Sequence, residues 1–219
     1  MSYVEFPRYA ISITLEDKFI DGIINIFKSN KKYFENYQSI IEKELLLNIK
    51  PPFYKTNLYD EKEIISIFLN LKNEIEITDI VNFKNISFRL EKKDHYLKII
   101  LKVDNELDYF FSQIIRRYDE FRKVLNIKQY EMDIGRFKKL TERQTMYYQI
   151  WGHPYIFEEI EHHIKLLNLN NLNNNEIISF EEKFKKMLNY FNSIDLKYIG
   201  LYKQINQKSN FKCISKLNL

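Results

Sequence analysis

Residues 151–165 read Trp151-Gly152-His153-Pro154-Tyr155-Ile156-Phe157-Glu158-Glu159-Ile160-Glu161-His162-His163-Ile164-Lys165. Gly152 and Pro154 are two breakers one residue apart, so a helix arriving from upstream ends here and the chain is re-aimed. That helix has its own start signal. Thr141 and Gln144 have the spacing of a capping box, which predicts a helix from there to about Ile150. Beyond the breakers a strand is predicted through His163 and Lys165. Residues i and i+2 of a strand share a face, so His163 and Lys165 project to one side and His162 to the other. The turn itself reads as structural. Helices and strands that follow one another without regular β-α alternation predict an α+β fold rather than a doubly wound parallel sheet.

The rest of the chain supports that class. Asp104 opens the longest predicted helix, whose apolar stripe runs from Leu107 through Phe111 and Ile115 to Leu125. Three short strands are predicted before it, over 75–81, 84–91 and 95–103. Helical spacing of apolar residues recurs over 60–72 and over 16–29, and again through Tyr33, Tyr37, Ile40 and Ile41. Arg8 to Thr14 is β-branched and aromatic and predicts a first strand. Leu45 to Lys50 reads as a buried strand stopped by Pro51-Pro52. Downstream, the Asn-rich run 168–175 reads as a surface loop. A helix over about 178–192 and closing strands over 194–204 and 209–218 follow. No Pro/Gly/Ser-rich linker divides the chain, so residues 1–219 read as a single domain.

Composition excludes several functions. The apolar share of 45% is enough to bury a core and argues against global disorder. With only 4 glycines no phosphate-cradling Gly-rich loop can be assembled. A single cysteine, Cys213, rules out an internal disulfide and a cysteine-rich metal site. His162 and His163 are adjacent and face opposite ways, so they cannot share a metal; none is expected, and no cofactor is implied. The net charge of +4 is compatible with an anionic ligand, but basic and acidic residues are interspersed. Lys183, Lys185 and Lys186 follow Glu181 and Glu182 and read as a solvated helix face, not a nucleic-acid patch. No apolar run approaches the ~18 residues of a membrane span, and the N-terminus lacks a signal pattern, so a cytoplasmic protein is expected.

Several motifs in order resemble one family. Tyr118-Asp119-Glu120-Phe121-Arg122, then Leu140-Thr141-Glu142-Arg143-Gln144, then Trp151-Gly152-His153-Pro154-Tyr155 are similar to a bacterial branch of the 2H phosphoesterases. That branch has a D-x-F-R helix end, an L-T-x-R-Q helix start, W-G-Y-P-Y-V, and a strand with F-H-x-T-L-T. It is often encoded beside carbon–phosphorus lyase (phosphonate-degradation) genes. Arg8-Tyr9-Ala10-Ile11, Lys50-Pro51-Pro52-Phe53 and Leu201-Tyr202-Lys203-Gln204 resemble its opening strand, the residues after its first catalytic motif, and its closing hairpin. The resemblance implies two lobes related by a pseudo-twofold axis, with antiparallel-rich sheets, outer helices and a central cleft. Each lobe of the family contributes one H-x-T/S motif. One His serves as general base and the other as general acid on a phosphodiester, while the hydroxyls hold phosphoryl oxygens.

On that resemblance Leu46 stands where the first His belongs and Asn48 where the first Thr belongs. His163 occupies the second His position and Lys165 the second Thr position. His163 is thus the candidate catalytic residue. Lys165, Asn48, Arg143 and Tyr9 are candidate phosphate-binding residues, with Lys50 a further possible partner of His163. His162, His95 and His153 are assigned no part. The implied function is binding of a phosphorylated small molecule, a nucleotide or an RNA end in the cleft, with weak or no phosphodiesterase activity. Two alternatives stand beside it: an active phosphodiesterase using His163, and an interaction protein whose cleft is filled by side chains.

Overall fold

The structure is a computed structural model and describes residues 5–30, 46–74, 83–137, 139–170 and 172–219. The helix expected through Tyr33–Ile41 and the strand expected over 75–81 lie outside these residues.

Two antiparallel sheets form the frame. β1 (Arg8–Leu15), β2 (Leu46–Tyr54), β6 (Leu196–Gln204) and β7 (Lys212–Asn218) make a four-stranded sheet in the order β2-β1-β6-β7. β3 (Ser87–Lys93), β4 (Tyr96–Lys102) and β5 (His163–Asn168) make a three-stranded sheet in the order β3-β4-β5. The helices are α1 (Asp17–Lys28), α2 (Glu61–Leu69), the short α3 (Leu71–Glu74), α4 (Asn105–Arg117), α5 (Ile127–Ile134), α6 (Glu142–Trp151) and α7 (Asn174–Leu188). The α+β class expected from the sequence is therefore observed. One contiguous apolar core joins both sheets, with Ile11, Ile13 and Ile199 from the first, Ile99 and Ile164 from the second, and Phe19, Phe68, Phe111 and Phe184 from the helices.

Local chemistry explains where most elements begin. Asp60, Asn126, Thr141 and Asn173 each accept a hydrogen bond from the N3 amide of the helix that follows, and each helix answers with a Glu or Gln at N3. Three expectations need correction. The long helix expected to reach Leu125 ends at Arg117 in a 3-10 turn over Tyr118–Phe121, and Asn126 starts a separate helix. The last helix begins at Asn174, inside the Asn-rich run read as a loop, because Asn173 and Glu176 form a capping box. Finally, Pro51 and Pro52 do not stop β2, which runs on to Tyr54. β2 is an edge strand, and its register against β1 shifts between Lys50 and Phe53, so neither proline displaces a ladder hydrogen bond.

The topology leaves β2 as one edge of the first sheet and β5 as one edge of the second, and these two edges approach each other. The space between them is the cleft described next.

Candidate functional site

A cleft of about 790 Å³ opens between β2 and β5. β2 supplies Leu46 and Asn48. β5 supplies His163 and Lys165. The tip of the β3–β4 hairpin supplies Asp94, and the α6–β5 connection supplies His153, Tyr155 and Glu159. Its size lies within the range of small-molecule sites. A smaller pocket of about 260 Å³ adjoins it over the face of the first sheet, sharing Leu46, Asn48 and Pro52.

Strand alternation places the residues of β5. His162, Ile164 and Leu166 are buried in the core, while His163 and Lys165 are partly exposed on the cleft face. His162 bonds Asp108 through Nε2 at 3.1 Å and packs its ring against Phe111, a structural role. His163 directs Nδ1 at the backbone carbonyl of Glu161, 2.7 Å away. A carbonyl can only accept, so Nδ1 carries the proton and Nε2 keeps its lone pair. Burial, reinforced by the nearby charges of Lys98 and Lys165, holds the His163 pKa below the ordinary imidazole value, against the pull of the Glu161 carbonyl. At neutral pH it is an unprotonated imidazole with a free acceptor nitrogen.

Lys165 lies directly across the ladder from Lys98. The carboxylates around the cleft are taken by other residues. Asp94 pairs with Lys98 at 3.0 Å, Glu161 with Lys93 at 2.6 Å, and Glu159 accepts from Gln144 at 2.9 Å. Lys165 has no carboxylate partner among the described residues, and its ammonium rests 4.9 Å from the centre of the Tyr96 ring. Across the cleft Asn48 is exposed, and its Oδ1 accepts the buried Ser12 hydroxyl at 2.8 Å. That bond fixes the amide orientation and leaves its NH2 group available as a donor. The Lys165 ammonium, an oriented amide and a neutral imidazole thus border one space.

The structure brings together three of the five residues singled out from the sequence. Tyr9 is not among them. Its ring is buried in the core and its hydroxyl donates to Glu61 at 2.6 Å. Burial first, then the Glu61 hydrogen bond, raises its pKa far above the ordinary phenol value. Arg143 stays at the surface and pairs with Glu158 at 3.4 Å, while its neighbour Gln144 borders the cleft. Lys50 is also excluded. It is buried and bonds Asp119 at 3.1 Å and the Ile115 carbonyl at 3.3 Å. Burial lowers its pKa to about 8 despite the opposing attraction of Asp119.

Sequence reasoning passed over His153, which borders the cleft on the β2 side beside Pro52. Gly152, left-handed at φ +75°, caps α6 by donating its amide to the Tyr148 carbonyl, and so aims His153 toward β2. The Tyr155 amide lies 3.2 Å from His153 Nδ1. The same Nδ1 lies 3.3 Å from the Tyr155 carbonyl, so the amide and carbonyl of Tyr155 both meet one ring nitrogen, and the tautomer sets which of them it engages. Burial above all, then the charge of Arg136, lowers the His153 pKa to about 4. Nothing in the sequence except the breakers on either side of His153 signals this placement.

The motifs that suggested a family form the wall behind the cleft. Asp119 takes Lys50 from β2 and both Arg122 Nε, at 2.7 Å, and Arg122 Nη2, at 3.1 Å. Arg122 also donates to the Ile150 carbonyl at 2.6 Å. Among the described residues no helix is long and apolar enough to cross a membrane, and no three His, Cys, Asp or Glu side chains are grouped to hold a metal ion. A search of curated proteins gives no match. A family model described as Protein of unknown function (DUF1045) matches residues 48–212. That span runs from Asn48 through the Lys50–Asp119–Arg122 clamp and the His153 turn to His163 and Lys165, well over half of the chain, and the chain belongs to the DUF1045 family.

Proposed function

We propose that this is a 2H-phosphoesterase-like protein that binds a phosphorylated small molecule or nucleotide between its two sheets, with weak or no phosphodiesterase turnover. The observation that carries the reading is Lys165, a cleft lysine without a carboxylate partner among the described residues, flanked by His163 and faced by the Asn48 amide. An ammonium beside Lys98 with no carboxylate among the described residues favours an incoming anion, and charge-assisted hydrogen bonds to phosphoryl oxygens suit it. The sequence resemblance supports the same choice of ligand. The cleft is open, which supports ligand binding over an interaction protein with a filled cleft. Low turnover follows from Leu46, which has no titratable group to serve as the second acid–base residue.

Calorimetric titration with adenosine monophosphate and with ribose 5-phosphate tests this. Saturable binding is expected, weakened about tenfold or more by Lys165→Ala and less by Leu46→Ala. Absence of binding, or binding indifferent to Lys165→Ala, overturns the reading. The free Nε2 of His163 favours a second reading, an active phosphodiesterase with His163 as base. Hydrolysis of a 2′,3′-cyclic nucleotide that His163→Ala abolishes would select it.

A further inference from the structure

Lys165 shares its wall of the cleft with a second lysine, Lys98, whose side chain is only 4% exposed. An irregularity in the sheet brings the two together. Leu97 pairs with Leu167, but the β4–β5 register then shifts by one residue, so Lys98 meets Lys165 and not Leu166. Like charges directly opposite on a ladder destabilise a sheet. Register shifts of this kind recur beside ligand sites, where they re-aim side chains. The nearby carboxylates do not balance the pair. Glu161 lies 3.8 Å from Lys98 but bonds Lys93 at 2.6 Å. Lys165 has no carboxylate partner among the described residues. Asp94 takes the Lys98 ammonium directly, at 3.0 Å, and does so from a side chain 71% exposed.

Asp94 and His95 form the two-residue tip of the β3–β4 hairpin, with φ of +51° and +63°. Positive φ at both positions is what a type I′ turn requires. The tip is tethered, since the His95 carbonyl accepts the Leu169 amide at 2.8 Å. The Asp94 carboxylate therefore leaves Lys98 by side-chain rotation, with the backbone in place and water to receive it. We propose that Lys98 is a second phosphate-binding residue of the cleft, and that Asp94 is a resident competitor, displaced when the phosphoryl group of a phosphate ester bridges Lys98 and Lys165. The proposal rests on the phosphate-binding reading above and adds a second cation and a built-in rival anion. A phosphate monoester carries a charge of about −2 near neutral pH and three acceptor oxygens. It accepts from both ammoniums at once and so relieves the repulsion across the ladder, which Asp94 on Lys98 leaves in place.

Calorimetric titration of the full chain with adenosine monophosphate tests the exchange. Asp94→Asn removes the competing charge and keeps the turn, because asparagine tolerates a positive φ as aspartate does. It is expected to tighten binding about two- to fivefold, the strength of an ion pair with a solvent-exposed member. Lys98→Met keeps an unbranched buried side chain and strands no buried acid, since Asp94 is exposed and Glu161 retains Lys93. It is expected to weaken binding about tenfold or more. Should methionine disturb the sheet, Lys98→Gln serves in its place. In the double variant the gain from Asp94→Asn should vanish, because the cation it frees is gone. A gain of equal size with and without Lys98 would report only the loss of a negative charge near the cleft, and would overturn the proposal. So would an Asp94→Asn variant that binds no more tightly than the wild type, or full affinity without Lys98. In each of these cases a loss on Lys165→Ala leaves the phosphate site standing. If neither the wild type nor Asp94→Asn binds, the phosphate-binding reading falls, and the exchange with it.

Discussion

A Cβ built on Gly152 lies 2.8 Å from Cδ of Arg122, and that side chain has little freedom to retreat because Asp119 and the Ile150 carbonyl hold its guanidinium. The residue also needs its left-handed φ of +75°. Gly152→Ala is therefore expected to lower unfolding free energy by about 1–3 kcal/mol, read from the shift in a urea midpoint. An unchanged midpoint would show that Arg122 can yield. Leu46 and Asn48 present a different residue-scale problem, since they border the cleft without the groups a phosphodiesterase needs. The double variant Leu46→His, Asn48→Thr is expected to raise 2′,3′-cyclic phosphodiester turnover above the wild-type level. No gain in a properly folded double variant would mean that the 46–48 segment does not face the reacting phosphate. The shared face of His163 and Lys165 was legible in sequence because strand alternation is a local rule. The positions of Tyr9 and His153 were not, since Tyr9 is claimed by Glu61 and His153 is aimed by a cap on the preceding helix. Such pairings depend on tertiary proximity, which no spacing encodes.

The elements behind the cleft meet at Asp119, between the edge strand β2 and the end of α4. Its carboxylate serves the buried Lys50 and the bidentate Arg122 together, and although burial alone would raise its pKa, these partners hold it below the ordinary carboxylate value. Asp119→Asn leaves Lys50 buried with no anion. Loss of one partner of a buried pair typically costs about 3–5 kcal/mol. Here the loss should depend on pH in a defined direction. The Lys50 pKa in the folded protein, about 8, is below its ordinary 10.5. Between those values the unfolded chain binds more protons than the folded one, so this group makes stability rise with pH. Without Asp119 the folded pKa falls further and the rising window extends to lower pH. Urea melts of Asp119→Asn at pH 6 and pH 9 should show the larger deficit at pH 6, and equal deficits would contradict the assignment of Lys50 as the stranded charge. Elements with paired caps were the legible ones, as Thr141 and Gln144 show. Asn126–Gln129 and Asn173–Glu176 carry the same signal under cover, the first inside an apolar stripe that continues past it and the second inside a run of asparagines, a residue common in loops. The course of β2 through two prolines could not be read, because edge position is a property of the sheet and not of the strand.

Across the whole molecule one core supports two sheets, and three histidines lie on or beside their junction. The α+β class was legible from the order of elements, whereas the meeting of the β2 and β5 edges, which makes the cleft, required the fold itself. The histidines make the assembly acid-sensitive. Burial is the leading cause in each case: it lowers the pKa of His153 to about 4 and holds His162 and His163 below the ordinary 6.5. A lowered folded-state value means that, between it and 6.5, the unfolded chain binds more protons than the folded one, so unfolding free energy falls as pH falls. The carboxylates with depressed values, Asp119 and Glu161 among them, act in the same sense but only as pH drops toward and below their own ordinary range. The histidine contribution therefore dominates first. Stability measured by urea midpoint is expected to be level from pH 8 to about 6.5, to decline from there to about 4, and to decline more steeply below. His153→Phe, which has no proton to bind in either state, should flatten the middle segment without changing the steep one. A wild-type curve that is level down to pH 4, or a middle slope untouched by His153→Phe, would show that the ring at the mouth of β2 accepts a proton freely and is not held neutral by its surroundings.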